Sequence, residues 1–458
     1  MCIRDRPQPK PQAEPEPEPA EEEDLVALGI GHDDRKTYGI PVKDRIHMAI
    51  FGFPGTGKST LMLYLMLQHL RKDEGLMVID PHGGLANAFL THIPPSERHR
   101  VIYIDPLTAY RYGRVVQLNF LEYRGVMDRG FTARAFLDAL EKLYARFWGP
   151  RLDMILRNAV YTLMDSGTAK LSDLYYVISD ESFREMKLMN VTDPMVRSFW
   201  TEDFKKMPKD ASISALTKIH RLIQEKVITP MFDAEKSSVN FREAMDQGKI
   251  VVVNLPEGFL TSEITNFIGS LILAQVYTAA MSREEIPEEK RKPFYVYIDE
   301  AYRFFTSALT DMLQSLRKYK VFLTLASQDL EQYREDVRKS IPNLCSTIIC
   351  FAVGESTAQK LEQFFMPEIM HYRWLMNARQ YRFHVSTMFH GRRVKQYFEV
   401  VNPGRGPYNP EDVIKESLKI YGREVKPDLL IPDMETLKEL EYPKNFTLPA
   451  WIIMLRLR

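Results

Sequence analysis

The sequence predicts an α/β fold in which one parallel sheet is built from two stretches of chain with an all-α domain inserted between them. Three observations predict it. Residues 48–63, MAIFGFPGTGKSTLML, place a glycine-rich turn between a short apolar run and a densely apolar helix. Residues 294–300, FYVYIDE, are a run of strand formers closed by two adjacent carboxylates. Lys58 and Asp299 lie 241 residues apart, more than a bare phosphate-loop domain needs, and residues 131–235 are helical in pattern with no convincing strand.

In chain order, the first six residues, MCIRDR, read as the translation of a transposon-end adapter from sequencing libraries rather than as native protein, which places the expected N-terminus upstream. Residues 7–24, PQPKPQAEPEPEPAEEED, cannot bury a core and are expected to be extended and disordered, within a Pro/Glu-rich linker over 1–34. That linker hides a charge asymmetry. The chain holds 61 basic and 61 acidic side chains, but residues 1–24 carry three and eight of them, leaving 58 against 53 elsewhere. This balance neither demands nor excludes nucleic acid.

Residues 35–130 are expected to form the first part of the sheet domain. After the glycine-rich turn come LMVIDPHGG and RVIYIDP, two apolar runs ending in Asp-Pro, as parallel strands do when they reach the functional edge of a sheet. Residues 131–235 form the all-α insertion, with helices such as RAFLDALEKLYARF, RLDMILRNAVYTLM and ISALTKIHRLIQEKV. Residues 236–401 resume the sheet at KIVVVNL, FYVYIDE, VFLTLAS and STIICFAV. Residues 402–458 read as a Pro-rich tail with one short helix, PEDVIKESLKIYG. FIGSLILAQVYTAAM, at 267–281, is interrupted by Ser270, Gln275 and Thr278 and reads as a core helix rather than a membrane span. Cys2, Cys345 and Cys350 are too few for a disulfide framework and read as reduced structural thiols.

The stretch from Gly52 reads G-x-x-x-x-G-K-S. Gly52, Gly55 and Gly57 let the backbone curl so that successive N–H groups point at phosphate oxygens, with Phe53, Pro54, Thr56 and Thr60 completing the nucleotide-binding segment. Lys58 reaches the β and γ phosphates of ATP, and the Ser59 hydroxyl binds Mg²⁺. Two acids beneath an aromatic run cost desolvation unless a cation meets them, which assigns Asp299 to the Mg²⁺ and Glu300 to orienting and deprotonating the attacking water. The competing reading of Glu300 is a helix-start residue satisfying N–H groups. Gln328 follows a strand expected beside that of Asp299, where an amide can sense the γ-phosphate or simply be exposed. Arg317, flanked by Lys318 and Lys320, is either a charge that reaches a neighbouring subunit's nucleotide or part of a solvated face.

The segments GFPGTGKST, VIDPHGGL, WGPRLDMILRNAV, FREAMDQGKIVVVNL, YVYIDEAYRF, LRKYKVFLTLASQDLEQ, TIICFAVGESTAQKLEQFF and DVIKESLKIYG occur in that order. Together they resemble the HerA/FtsK superfamily of P-loop ATPases, and within it the TraD/TraG-like coupling proteins of type IV secretion, over about residues 40–425. The resemblance implies a RecA-like P-loop NTPase sheet with an inserted all-α domain. It also implies a Mg²⁺-dependent ATPase that assembles as a homo-oligomeric, hexameric ring and translocates DNA in conjugative transfer. Relaxase and secretion-channel proteins are the implied partners, and the implied location is cytoplasmic, at the inner face of the cell membrane, with membrane contact through an upstream region. It assigns Gln328 and Arg317 to catalysis, the latter as an arginine finger. In one place the sequence departs from the family pattern Asp-Pro-His-Gly-Asp: Gly84 replaces the final acid, leaving Asp80 and His82 at the site's edge.

Two other functions share this core. One is a secretion-system ATPase acting on protein or pilus subunits, and the other is a HerA-type translocase in DNA-end processing. The basic clusters TKIHRLIQEK and HGRRVKQ read equally as DNA contacts or as solvated surfaces.

Overall fold

In the computed structural model, the described residues are 25–425, apart from 32–33, 73, 124–125, 168, 306–311 and 367–370. The adapter-like hexapeptide, the Pro/Glu tract with Cys2, and residues 426–458 of the expected tail lie outside them.

The strands are β1 (Leu25–Gly31), β2 (Thr37–Pro41), β3 (His47–Phe51), β4 (Gly75–Asp80), β5 (Val101–Ile104), β6 (Arg114–Val116), β7 (Ile250–Asn254), β8 (Phe294–Ile298), β9 (Val321–Ser327), β10 (Cys345–Cys350), β11 (Arg382–Phe389), β12 (Arg392–Glu399) and β13 (Gly422–Glu424). One eleven-stranded sheet runs β2-β1-β12-β11-β10-β3-β9-β8-β4-β7-β5. From β10 to β5 every pairing is parallel, and from β2 to β11 every pairing is antiparallel. Strands β3, β4, β5, β7, β8 and β10 are buried at every residue, because helices cover both faces of a parallel sheet. Cys345 and Cys350 are both buried and unbridged in β10.

Between β6 and β7 all regular structure among the described residues is helical, beginning with Val126–Leu143. That first helix packs on Ser262–Met281. The latter is apolar and long enough to cross a membrane by length and composition, yet most of it is buried against the sheet and the helical layer. At Gly269 an added Cβ would come within 2.3 Å of the Phe304 ring, and the Ser270 hydroxyl donates to the Phe304 carbonyl at 2.8 Å. Glycine here lets the chain just beyond the β8 carboxylates lie directly on this helix.

Three sequence readings need correction. The linker expected over 1–34 ends earlier, because Leu25–Gly31 is strand β1, with Val26 and Leu28 buried. The strand is secured by Gln68 of the helix Lys58–Arg71, whose amide accepts from Ala27 N–H at 2.8 Å and donates to Ala27 C=O at 2.9 Å. The tail expected from 402 is integral to the domain as far as 425: helix Pro410–Tyr421 packs on β5, Ser417 Oγ accepts from Tyr103 N–H at 2.8 Å, and β13 pairs with β6. Finally, the β11–β12 hairpin and the β1–β2 pair extend the sheet where no strand was predicted. β12 is half-exposed, with only Phe398 fully buried, so its sequence, RRVKQYFE, lacks a clean apolar alternation.

Candidate active site

The C-terminal edge of a parallel sheet gathers the strand-end loops, and here it gathers the charged residues singled out in the sequence. The turn after β3 runs from Gly52 to Gly57, and Gly55 (φ 75°) and Gly57 (φ 119°) adopt left-handed backbone that an L side chain resists. Space adds a second constraint at Gly52, where a Cβ would lie 2.6 Å from Phe351 Cβ. Lys58 opens the following helix, is buried, and turns its ammonium back over the loop to the carbonyls of Gly52 (2.7 Å) and Phe53 (3.2 Å). Burial lowers its pKa, an effect opposed by the charges of Asp299 and Glu300.

Strand β9 lies between β3 and β8, so Gln328 leaves the sheet between the loop and the two acids. The Gln328 amide nitrogen donates to Glu300 Oε1 at 2.9 Å. Glu300 is 5 % exposed and sits at φ 50°, ψ 43°, a left-handed conformation that costs a non-glycine residue about 1–2 kcal/mol. It precedes a short 3-10 turn, Ala301–Arg303, yet its side chain makes no capping hydrogen bond, so the helix-start reading of this acid has no support. The strained backbone turns the carboxylate towards Gln328 instead. Arg303 stands 4.0 Å from Glu300 and ion-pairs with Glu257.

Asp299 accepts the Glu300 N–H at 3.0 Å. Burial, together with Asp80 and Glu300, pushes its carboxyl up to about 6, against the pull of Lys58. Asp80, at the end of the adjacent β4, spends both oxygens on backbone: Oδ1 accepts from His82 N–H (2.8 Å) and Oδ2 from Ala86 N–H (2.9 Å). It therefore shapes the turn, as a strand-end acid does. His82 is half-exposed, 3.8 Å from Glu257. A Cβ on Gly84 would meet open space, so the acid absent there is missing for no steric reason.

Arg317 is exposed in the turn Leu316–Tyr319, which feeds the start of β9. The length of that strand, roughly 20 Å, separates it from Lys58 at the other edge. It is not brought to this chain's own site. Of the two basic clusters, TKIHRLIQEK lies on helix Lys209–Gln224 and the turn after it, with Lys218 buried against Ser214, whereas HGRRVKQ forms the β11–β12 turn and the start of β12.

Three residues at the site escaped the sequence reading. Arg303 lies within the quoted YVYIDEAYRF, three residues past Glu300, a spacing that marks it as a neighbour. Gln380 and Tyr381 have no such signal. They reach the loop from a distant part of the chain, the Gln380 amide nitrogen donating to Gly55 C=O at 3.0 Å and the Tyr381 N–H to Thr56 C=O at 2.9 Å.

The donor set fits a metal-bound phosphate. Three carboxylates, Asp80, Asp299 and Glu300, are buried beside one ammonium, an excess of negative charge that a divalent cation would balance. Among the described residues no group of three or more His, Cys, Asp or Glu side chains forms a metal cage. Ser59 and Asp299 are thus suited to a Mg²⁺ completed by phosphates and water, as that ion prefers.

This electrostatic excess has a measurable cost. A folded pKa raised from 3.8 to about 6 means that Asp299 destabilises the nucleotide-free fold above pH 6, and that the penalty fades as pH falls towards 4. Asp299→Asn should therefore be more stable than the wild type by about 1–3 kcal/mol at pH 7–8, with the difference shrinking below pH 6. Thermal melts of both proteins without nucleotide or Mg²⁺ test this, and equal melting temperatures at pH 8 would contradict it.

A family model described as the type IV secretion-system coupling protein DNA-binding domain matches residues 38–371. Among solved structures, the chain is similar to the bacterial conjugative coupling protein TrwBdeltaN70 in an unbound form, with TM-score 0.60 and 17 % identity over 84 % of this chain and 91 % of that one. It is similar to the plasmid coupling protein TrwB in complex with ADP and Mg²⁺, with TM-score 0.58 and 18 % identity over 80 % and 87 %. VirB4 of Thermoanaerobacter pseudethanolicus has TM-score 0.56 and 14 % identity over 82 % and 96 %. These likenesses show the RecA-like sheet with its all-α domain. No curated protein sequence matches the chain significantly.

Proposed function

The chain belongs to the type IV secretion-system coupling protein family, and from this we propose that it is an ATP-hydrolysing motor that translocates DNA during conjugative transfer. The observation that carries the catalytic reading is the row Lys58, Gln328, Glu300 and Asp299 along one sheet edge, with Gln328 bonded to Glu300.

When bound, MgATP supplies the reacting phosphoryl group and the charge neutralisation its transfer requires. The segment Gly52–Thr60 binds the phosphates through backbone N–H groups, and Lys58 exchanges its carbonyl partners for phosphate oxygens. Ser59 and Asp299 would hold the Mg²⁺, which would neutralise charge on the phosphates. Glu300 orients the attacking water and takes its proton, with Oε1 fixed by Gln328 and Oε2 left for the water. The subunits assemble as a hexameric ring in which Arg317 completes the neighbour's site. The ring works on the cytoplasmic side of the membrane, receiving DNA with its relaxase and passing it to the secretion channel.

DNA should stimulate ATP hydrolysis, and its affinity should fall with salt at a slope near −0.9 per neutralised phosphate on duplex. ATPase indifferent to every nucleic acid tried, or salt-independent binding, would favour an ATPase that handles protein, the reading that a fold shared with VirB4 also allows.

A further inference from the structure

A phosphate loop binds through backbone N–H groups, and in a trans peptide unit each N–H points opposite the carbonyl that shares its plane. Whatever holds those carbonyls therefore aims the donors. Two of them, Gly55 C=O and Thr56 C=O, are held from outside the loop. The Gln380 amide nitrogen donates to the first at 3.0 Å, and the Tyr381 N–H donates to the second at 2.9 Å. The two peptide planes fixed in this way carry the N–H groups of Thr56 and Gly57. Thr56 N–H accordingly turns towards Phe53 C=O, at 3.4 Å, the carbonyl that the Lys58 ammonium also meets at 3.2 Å.

The loop requires this restraint because each plane borders a left-handed glycine, Gly55 or Gly57, and a peptide unit beside glycine reorients with little steric resistance. The holding segment is itself firmly placed. Tyr381 sits at φ 60°, a left-handed conformation that persists in a non-glycine residue only where its surroundings over-determine it. Its N–H is bonded to Thr56, and its carbonyl accepts from Val400 N–H at 2.8 Å, just past β12. Arg382 N–H closes the turn on Arg379 C=O at 3.0 Å, and β11 begins there, with Arg382 opposite Glu399 across the hairpin. The Tyr381 ring also packs over the loop, 3.1 Å from where a Cβ on Gly57 would stand, so glycine at 57 lets the segment lie this close.

We infer that Gln380 and Tyr381 are positioning residues for the nucleotide: by holding the Gly55 and Thr56 carbonyls, they keep the Thr56 and Gly57 N–H groups aimed at the phosphates before the nucleotide arrives. The inference rests on the proposed nucleotide site. Neither residue takes part in the proton transfer at Glu300, so their effect falls on binding and leaves the chemical step alone.

Gln380→Met keeps the length of the side chain and removes its donor. Its dissociation constants for ATP and for inorganic triphosphate, both with Mg²⁺, should rise together by roughly 2- to 10-fold, the worth of one net hydrogen bond. KM for ATP should rise with them while kcat at saturating ATP stays at the wild-type value. An amide-to-ester replacement at Tyr381, which removes only its N–H, should weaken both ligands in the same way. A merely structural role would instead reduce the fraction of active protein, lowering kcat at unchanged KM. That outcome would overturn the inference, as would unchanged dissociation constants in either variant. So would weaker ATP binding with unchanged triphosphate binding, which would make Gln380 a contact of the base or ribose. If wild-type protein bound neither ligand, the nucleotide site itself would be refuted and the inference with it, a result distinct from wild-type binding that the variants leave untouched.

Discussion

Glu300→Gln is expected to bind ATP with wild-type affinity and to lose turnover by a factor on the order of 10²–10⁴, the usual contribution of a general base. The substitution preserves shape and leaves an amide oxygen to accept from Gln328, so the local geometry survives. What it removes is the carboxylate proposed to take the proton. The strained backbone supports this assignment, since a left-handed glutamate that caps nothing is difficult to explain by folding alone. Lys58→Ala provides the contrast. It should lose nucleotide binding as well as turnover, because Lys58 is the buried cation of the loop. Stopped-flow nucleotide binding alongside steady-state phosphate release distinguishes the two variants. Normal turnover in Glu300→Gln, with tight ATP binding, would remove Glu300 from the role of base.

Arg317→Ala is expected to bind ATP normally and to lose turnover on the order of 10³-fold or more, as for arginine fingers that act in trans. Within one chain Arg317 is exposed at the edge of the sheet opposite Lys58, so any catalytic effect must operate across a subunit boundary. Mixing provides the decisive measurement. Some interfaces in a ring of Arg317→Ala and Glu300→Gln subunits pair an intact Glu300 with an intact Arg317 from the neighbour. Activity should partly return, although each parent is inactive. If hetero-oligomers form and remain inactive, or if Arg317→Ala alone hydrolyses ATP normally, then Arg317 belongs to the solvated face beside Lys318.

The sequence alone determined the chemistry that depends on local order. The glycine spacing before Lys58 and the paired acids after FYVYI are contiguous motifs, legible because backbone curvature and strand ends are set by neighbouring residues. The parallel strands were legible for a related reason: buried on both faces, they read as unbroken apolar runs. Half-exposed β12 and the glycine-interrupted strand β1 carry no such signal. Their pairing depends on partners remote in sequence, such as Gln68 for β1, so only the assembled sheet revealed them. The same holds for helix Pro410–Tyr421, whose sequence marks a helix but not its place on β5. At the site, tertiary structure decided how the acids differ. Asp299 and Glu300 are adjacent in sequence, but the left-handed turn at Glu300 sends one carboxylate to Gln328 and leaves the other facing Asp80 in a buried, charge-crowded position. Desolvation and the charge of remote neighbours set that difference, and neither is a property of the local sequence. The tether from Gln380 and Tyr381 to the phosphate loop joins residues more than three hundred positions apart, and chain folding alone brings them together.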